Sequence, residues 1–135
     1  MAALTKDRNT KRRDAKVFSD PVAATTKIYA GSLVCINASG YAVPGSTSTA
    51  LKARGVAQEQ VDNSTGAAGD KRVETNRGCF PFANSASADE ITRADIGATA
   101  YIVDDQTVAK TNGTNTRSAA GVIRDVDSDG VWVEI

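Results

Sequence analysis

From Lys27 onward the apolar side chains of this chain come in short runs, each closed by Gly, Asn, Asp, Ser or Pro. Runs this brief cannot supply the ~10–12 residues of helical periodicity that a packed helix needs; they suit strands joined by tight turns. Leu33-Val34-Cys35-Ile36, a turn at 37–40 and Tyr41-Ala42-Val43 read as a hairpin closed at Pro44-Gly45. Residues 55–61 read as a strand ended by the loop 62–66. Residues 71–82 read as another, with Gly78 a candidate bulge and Pro81 marking a strand end or edge. Tyr101-Ile102-Val103 and Thr107-Val108-Ala109 flank Asp104-Asp105-Gln106 as a second hairpin.

The end of the chain gives the clearest hairpin, Val122–Val126 with Val131–Ile135. A two-residue turn at Asp129-Gly130 would set Asp125 opposite Glu134, a like-charge pair that costs stability. A four-residue loop avoids this by pairing Val126 with Val131, Arg124 with Val133 and Val122 with Ile135. Trp132 lies in this hairpin. Its replacement by Ala costs ~3–5 kcal/mol if the ring is buried, and leaves stability unchanged if it is on the surface. One segment departs from the β pattern: Ser87 with Glu90 three residues later is a capping box. It leads into one or two helical turns over 91–96, with Gly97 as the C-terminal cap.

Composition limits how much core such strands can build. Of 135 residues, 22 are Ala, and Leu, Ile, Val and Phe together number only 26. That is thin, and thin cores gain from subunit contacts that bury what the monomer cannot. The net charge of zero hides a division. Residues 1–16 hold six bases and two acids, leaving ten bases and fourteen acids for residues 17–135. A basic segment with so few apolar side chains cannot offset its own ordering entropy and orders only against something else. The expected fold is therefore mainly β, a small β-barrel or β-sandwich with one short helix and an extended N-terminal arm. The arm is set at residues 1–26 and the body at 27–135. An arm of that length reaches ~85 Å at ~3.3 Å per residue, against a radius of gyration of ~13 Å for the body.

Chemistry is sparse. The chain has no His, which removes the commonest general base, His-containing triads and most zinc sites. Neither GxGxxG nor GxxxxGK[ST] occurs. The acid pair Asp104-Asp105 sits where a turn favours aspartate for bonding its own backbone. Asp125-x-Asp127-x-Asp129-Gly130 opens like a calcium-binding loop, but the bidentate acid needed at position 12 would fall past the last residue. A hairpin is the reading kept, with weak cation binding by Asp125, Asp127 and Asp129 left open. Cys35 and Cys79 sit in apolar runs and read as buried free thiols in a reduced, cytosolic setting. No apolar stretch approaches the ~20 residues of a membrane span. The expectation is a protein that is not an enzyme, uses no cofactor or metal, and contacts no membrane.

The arm cations Lys6, Arg8, Lys11, Arg12, Arg13 and Lys16 suit either of two partners. They could neutralise phosphates, which would make the chain a nucleic-acid-binding β-barrel. Yet no aromatic residues are interleaved for stacking, and an acidic body repels nucleic acid. They could instead dock on an acidic protein surface through forked Arg–carboxylate bonds, which is the favoured reading. A carbohydrate-binding domain is disfavoured by one Trp, three Tyr and three Phe.

Taken together, AGSLVCINASGYAVPG, GVAQEQVDN, ADIGATAYIVDDQTVAKT and AAGVIRDVDSDGVWVEI resemble the capsid decoration, or cement, proteins of tailed bacteriophages. The resemblance spans roughly residues 25–135, and the basic lead-in fits the arms many such proteins carry. It implies a β-rich body on the outer face of an icosahedral shell, bridging major capsid protein subunits. It implies no reaction and no cofactor. The location implied is the capsid exterior of the virion, with the host cytoplasm during assembly. A homo-oligomer is expected, a trimer ahead of a dimer.

Overall fold

The structure, a computed structural model, describes residues 2–135. It is mainly β. The first sheet takes β1 (Val17–Pro21), β3 (Leu33–Ile36), β4 (Ala42–Pro44), β5 (Lys52–Ala57) and β7 (Arg72–Asn76), in the order β1-β7-β5-β3-β4. The second takes β8 (Cys79–Phe82), β9 (Thr99–Ile102), β10 (Val108–Ala109), β11 (Ala119–Asp127) and β12 (Gly130–Glu134), in the order β8-β12-β11-β9-β10. A ribbon of β2 (Thr26–Ile28) and β6 (Val61–Asn63) completes the body. All strand pairs within the sheets are antiparallel.

The two sheets are the same unit built twice. Numbering the five strands of each unit in chain order, both run first-fifth-fourth-second-third. The register repeats as well. Val34 pairs Gly55 and Cys35 pairs Ala53, leaving Arg54 as a bulge; Ala100 pairs Gly121 and Tyr101 pairs Ala119, leaving Ala120. A Cβ on Gly55 would overlap the Asn76 carbonyl oxygen, and one on Gly121 the Glu134 carbonyl oxygen. Both glycines thus let the fifth strand approach the bulge. The edges of each unit are joined only by one parallel bridge, Val22 to Ala42 and Ala83 to Thr107, so neither sheet closes into a barrel. Two faced sheets are compatible with a sandwich.

Two cores fill this frame. Val22, Ile28, Val34, Ala42 and Val73 lie at 0% exposure inside the first unit, while Leu33, Cys35, Ile102, Ile123, Val131 and Val133 centre the other core. β3 is the join: Leu33 and Cys35 face the second unit while Val34 faces the interior of the first. Burial on both faces explains why its sequence is an unbroken apolar run.

Several expectations change in detail. The body begins at Val17, not residue 27: β1 is paired along its whole length with β7, and Val22 is buried. The strand read at 55–61 begins at Lys52 and stops at Ala57, and residues 61–63 belong to the ribbon. The strand read at 71–82 is two strands in different sheets, parted at Arg77-Gly78. Pro81 does lie on an edge strand, where its missing N–H costs no ladder bond. The expected helix is two separate 3₁₀ turns, Ser87–Asp89 and Arg93–Asp95. Asn84 separates them by gripping Ile91 through both its N–H and its carbonyl, at 2.9 and 2.8 Å, so Ile91 drops into the core. The box falls at Thr92–Asp95, where the Asp95 carboxylate accepts the Thr92 N–H at 2.8 Å.

In the last hairpin Val126 pairs Val131 as expected, but the turn tightens to Ser128-Asp129, with Asp127 opposite Gly130. Arg124 becomes a bulge, so Val133 faces Ile123 and Glu134 faces Val122. Trp132 is half-buried on the face opposite Val131 and Val133. Trp132→Ala should therefore cost about 1–2 kcal/mol, below the figure for a core ring. Gly121→Ala should cost more, ~2–4 kcal/mol, because the fifth strand must move off a carbonyl contact. Urea unfolding of both variants checks the order; a more harmful Trp132→Ala would contradict the strand packing.

Candidate interaction surface

The arm cations all lie on one exposed segment. Residues 2–16 contain no strand or helix, and all are exposed, including Lys6, Arg8, Lys11, Arg12, Arg13 and Lys16. Among the described residues no ion pair involves any of the six. The base of the arm, by contrast, is fixed. The Lys16 carbonyl accepts the Arg77 N–H at 2.8 Å, extending the β1–β7 ladder by one residue. Arg54 lies 3.6 Å from the Phe18 ring centroid, and its Nε and Nη2 bond both Asp20 carboxylate oxygens at 2.7 and 3.0 Å. Arg13 approaches the same ring at 5.3 Å. A forked, partly buried pair stacked on an aromatic face is the strong form of such contacts. The arm thus leaves the body from a rigid root, and its outer cations are free to meet a partner.

The outer edge of β1 is blocked. Arg72 reaches across from β7 to bond the Ser19 carbonyl at 2.6 Å and its hydroxyl at 3.1 Å. Pro21, at the end of the strand, has no N–H to offer. The arm therefore cannot simply fold back as a further strand there. The arm is plain in the sequence but this root is not, since Asp20 and Arg54 are 34 residues apart and no local pattern links them. A Phe directly after a basic stretch was the one available hint.

The remaining candidates resolve into turns. The Asp104 carboxylate accepts the Gln106 N–H at 2.9 Å, and Asp105 is raised by burial and by the neighbouring Asp104 charge. Asp125 accepts Arg93 at 2.8 Å and the Val126 N–H at 2.9 Å, while Asp127 accepts the Asp129 N–H at 2.9 Å. These carboxylates are spent on the hairpin, and no described group of three acids, Cys or His is arranged to hold a metal ion. Both cysteines are free, but only Cys35 is buried; Cys79 is exposed at the edge strand, correcting the expectation of two buried thiols.

The chain matches no protein-family model, no curated protein and no solved structure.

Two measurements follow from the titrating groups. Burial pushes the Cys35 thiol up to about 12, whereas Cys79 is raised chiefly by partial desolvation and then by Glu134. A disulfide reagent at pH 8 should modify one thiol in the native protein and two after unfolding, the first being lost in Cys79→Ser. Two fast native thiols would place Cys35 outside the core. Asp89, Asp95 and Asp125 are held below the usual carboxylate range, chiefly by the Thr111 hydroxyl, the Thr92 N–H and the Arg93 guanidinium respectively. A lowered carboxyl stabilises the fold above its unfolded pKa and stops doing so as pH falls through its folded value. The melting temperature should therefore drop below about pH 4, and Asp125→Asn should flatten that drop.

Proposed function

We propose that this chain is a virion structural protein that binds the outer surface of a bacteriophage capsid. It bridges major capsid protein subunits and stabilises the shell, without catalysis and without a cofactor. One observation carries the reading: an exposed cationic arm, whose cations form no ion pair among the described residues, is rooted rigidly on a β-rich body of opposite net charge. Its β units form a sandwich-like block seated on the shell, and the arm extends across a subunit boundary to acidic surface. Repetition of modest contacts over a symmetric lattice gives high avidity once the first is made. The thin core, divided between two units, accords with a protein that completes its burial in a homo-oligomer, a trimer ahead of a dimer.

Removing residues 1–16 tests this directly. The truncated body should melt within a few degrees of the full chain, because β1 and its Phe18–Arg54–Asp20 root remain, yet it should no longer co-sediment with shells. Saturating decoration by the truncated body would move the anchor out of the arm. Salt-sensitive capture of duplex DNA on a filter by the full chain, with no shell binding, would favour the nucleic-acid reading instead.

A further inference from the structure

Of the seven asparagines in this chain, only Asn112 precedes a glycine. With no Cβ on Gly113, nothing shields its backbone nitrogen from the neighbouring side chain. The pair opens the turn between β10 and β11, where Gly113, Thr114 and Asn115 stand in succession at φ +63°, +60° and +63°. Left-handed backbone is strained for a β-branched residue such as Thr114. Hydrogen bonds hold the turn in place. Thr116 and Arg117 N–H groups donate to the Asn112 main-chain carbonyl at 2.9 and 3.0 Å. The Asn112 side chain folds over the peptides that follow it: Asn115 N–H donates to its Oδ1 at 3.2 Å, and its Nδ2 donates to Asn115 Oδ1 at 3.0 Å. Gly113 N–H donates to Thr111 Oγ1 at 3.3 Å, and the Thr111 hydroxyl donates in turn to Asp89 Oδ1. Arg117 completes the cluster. Its Nη1 donates to Asp89 Oδ2 at 3.3 Å and to the Thr111 carbonyl at 3.0 Å, while its Nε is buried without an acceptor. A Cβ built on Gly113 would stand 3.2 Å from that Nε, so the guanidinium lies against Gly113.

We propose that Asn112-Gly113 is a self-modifying site, where the folded turn converts Asn112 to aspartate and isoaspartate without an enzyme. The Gly113 nitrogen bonds to Asn112 Cγ while its proton passes to Thr111 Oγ1 and the Thr111 proton passes to Asp89. The carbonyl electron pair moves onto Oδ1, which faces the Asn115 N–H. It returns as the Cγ–Nδ2 bond breaks, and Nδ2 takes a proton from solvent and leaves as ammonia. The cyclic imide then adds one water. Opening at Cγ gives aspartate in the original backbone; opening at the Asn112 main-chain carbonyl carbon gives isoaspartate, with the backbone routed through Cγ. Asp89 returns its proton to solvent, and nothing is oxidised or reduced. The new carboxylate forms beside the guanidinium whose Nε lacks an acceptor, which favours the product. Isoaspartate also lengthens the backbone, which lets residues 113–115 leave the strained region. Asn63 is the contrast. It precedes the small Ser64, but it is buried at 2% exposure and its Nδ2 is committed to the Ala23 and Ala67 carbonyls. Each copy thereby gains a negative charge with age on its acidic body, whether or not it binds a shell.

The test incubates the full-length protein at neutral pH. Mass spectrometry follows the peptide that contains Asn112, and ion exchange follows the more acidic species. Conversion in the folded chain should run at least about tenfold faster than in the urea-unfolded chain, because unfolding removes both the proton relay and the Asn115 donor. Asn63 should stay intact in the folded chain over the same time. Thr111→Val should keep the fold, since Thr111 is exposed, and should slow conversion about tenfold. Thr111→Ser retains the hydroxyl and should convert as wild type. Asp89→Asn should slow conversion as Thr111→Val does, and it reads the same relay should Thr111→Val unfold. A folded chain that converts no faster than the unfolded one overturns the proposal. So does wild-type conversion by a folded Thr111→Val or Asp89→Asn variant.

Discussion

Burial of β3 on both faces is the constraint on which the body depends. The chain has only 26 Leu, Ile, Val and Phe residues, so a single strand must serve two cores. Leu33 and Cys35 enter one and Val34 the other, and each sheet gains a wall without new apolar residues. A polar residue at any of these positions would unsettle both units together, because an unpaired polar group in either core is costly. The apolar run Leu33–Ile36 marks the place in the sequence where this economy is made.

The second organising device is backbone approach. In each unit a bulge precedes a glycine, and the glycine lets the carbonyl of the fifth strand come within what would be a side chain's volume. Repetition of this detail in units that share little sequence shows what the architecture requires. It fixes the bulge, the crossing and the left-handed glycine of the preceding turn, and it leaves most side chains free to vary. Freed positions carry the differences between the units: Arg54 in the first, which holds the arm root, and Ala120 in the second, which packs in the core.

Much of this was legible in the sequence. Both internal hairpins lie where the turn residues place them, and Pro81 marks an edge as its missing donor requires. Helix signals misled at 87–96, because a capping pattern says nothing of Asn84, which holds Ile91 extended from outside the segment. The start of the body at Val17 is not legible, since Val17–Pro21 has the composition of a linker and becomes a strand only by pairing with β7, more than fifty residues on. The internal repetition is nearly silent in the sequence for a similar reason. Its local traces are Ala53-Arg54-Gly55-Val56-Ala57 beside Ala119-Ala120-Gly121-Val122-Ile123, and Gly31 beside Gly97 in the turn before the second strand; the rest of what repeats is backbone geometry. The six arm cations were visible at once, as charge always is; their root was not, because ion pairs between distant strands leave no spacing signal.

The guard that Arg72 and Pro21 place over β1 has a consequence for crowded surroundings. An open strand beside a sticky, flexible leader invites copies to zip together edge to edge. With the Ser19 carbonyl already occupied and no donor at Pro21, neighbouring molecules held at high density find no template for a growing ribbon along this edge. On that side, copies can crowd against one another without strand joining to strand.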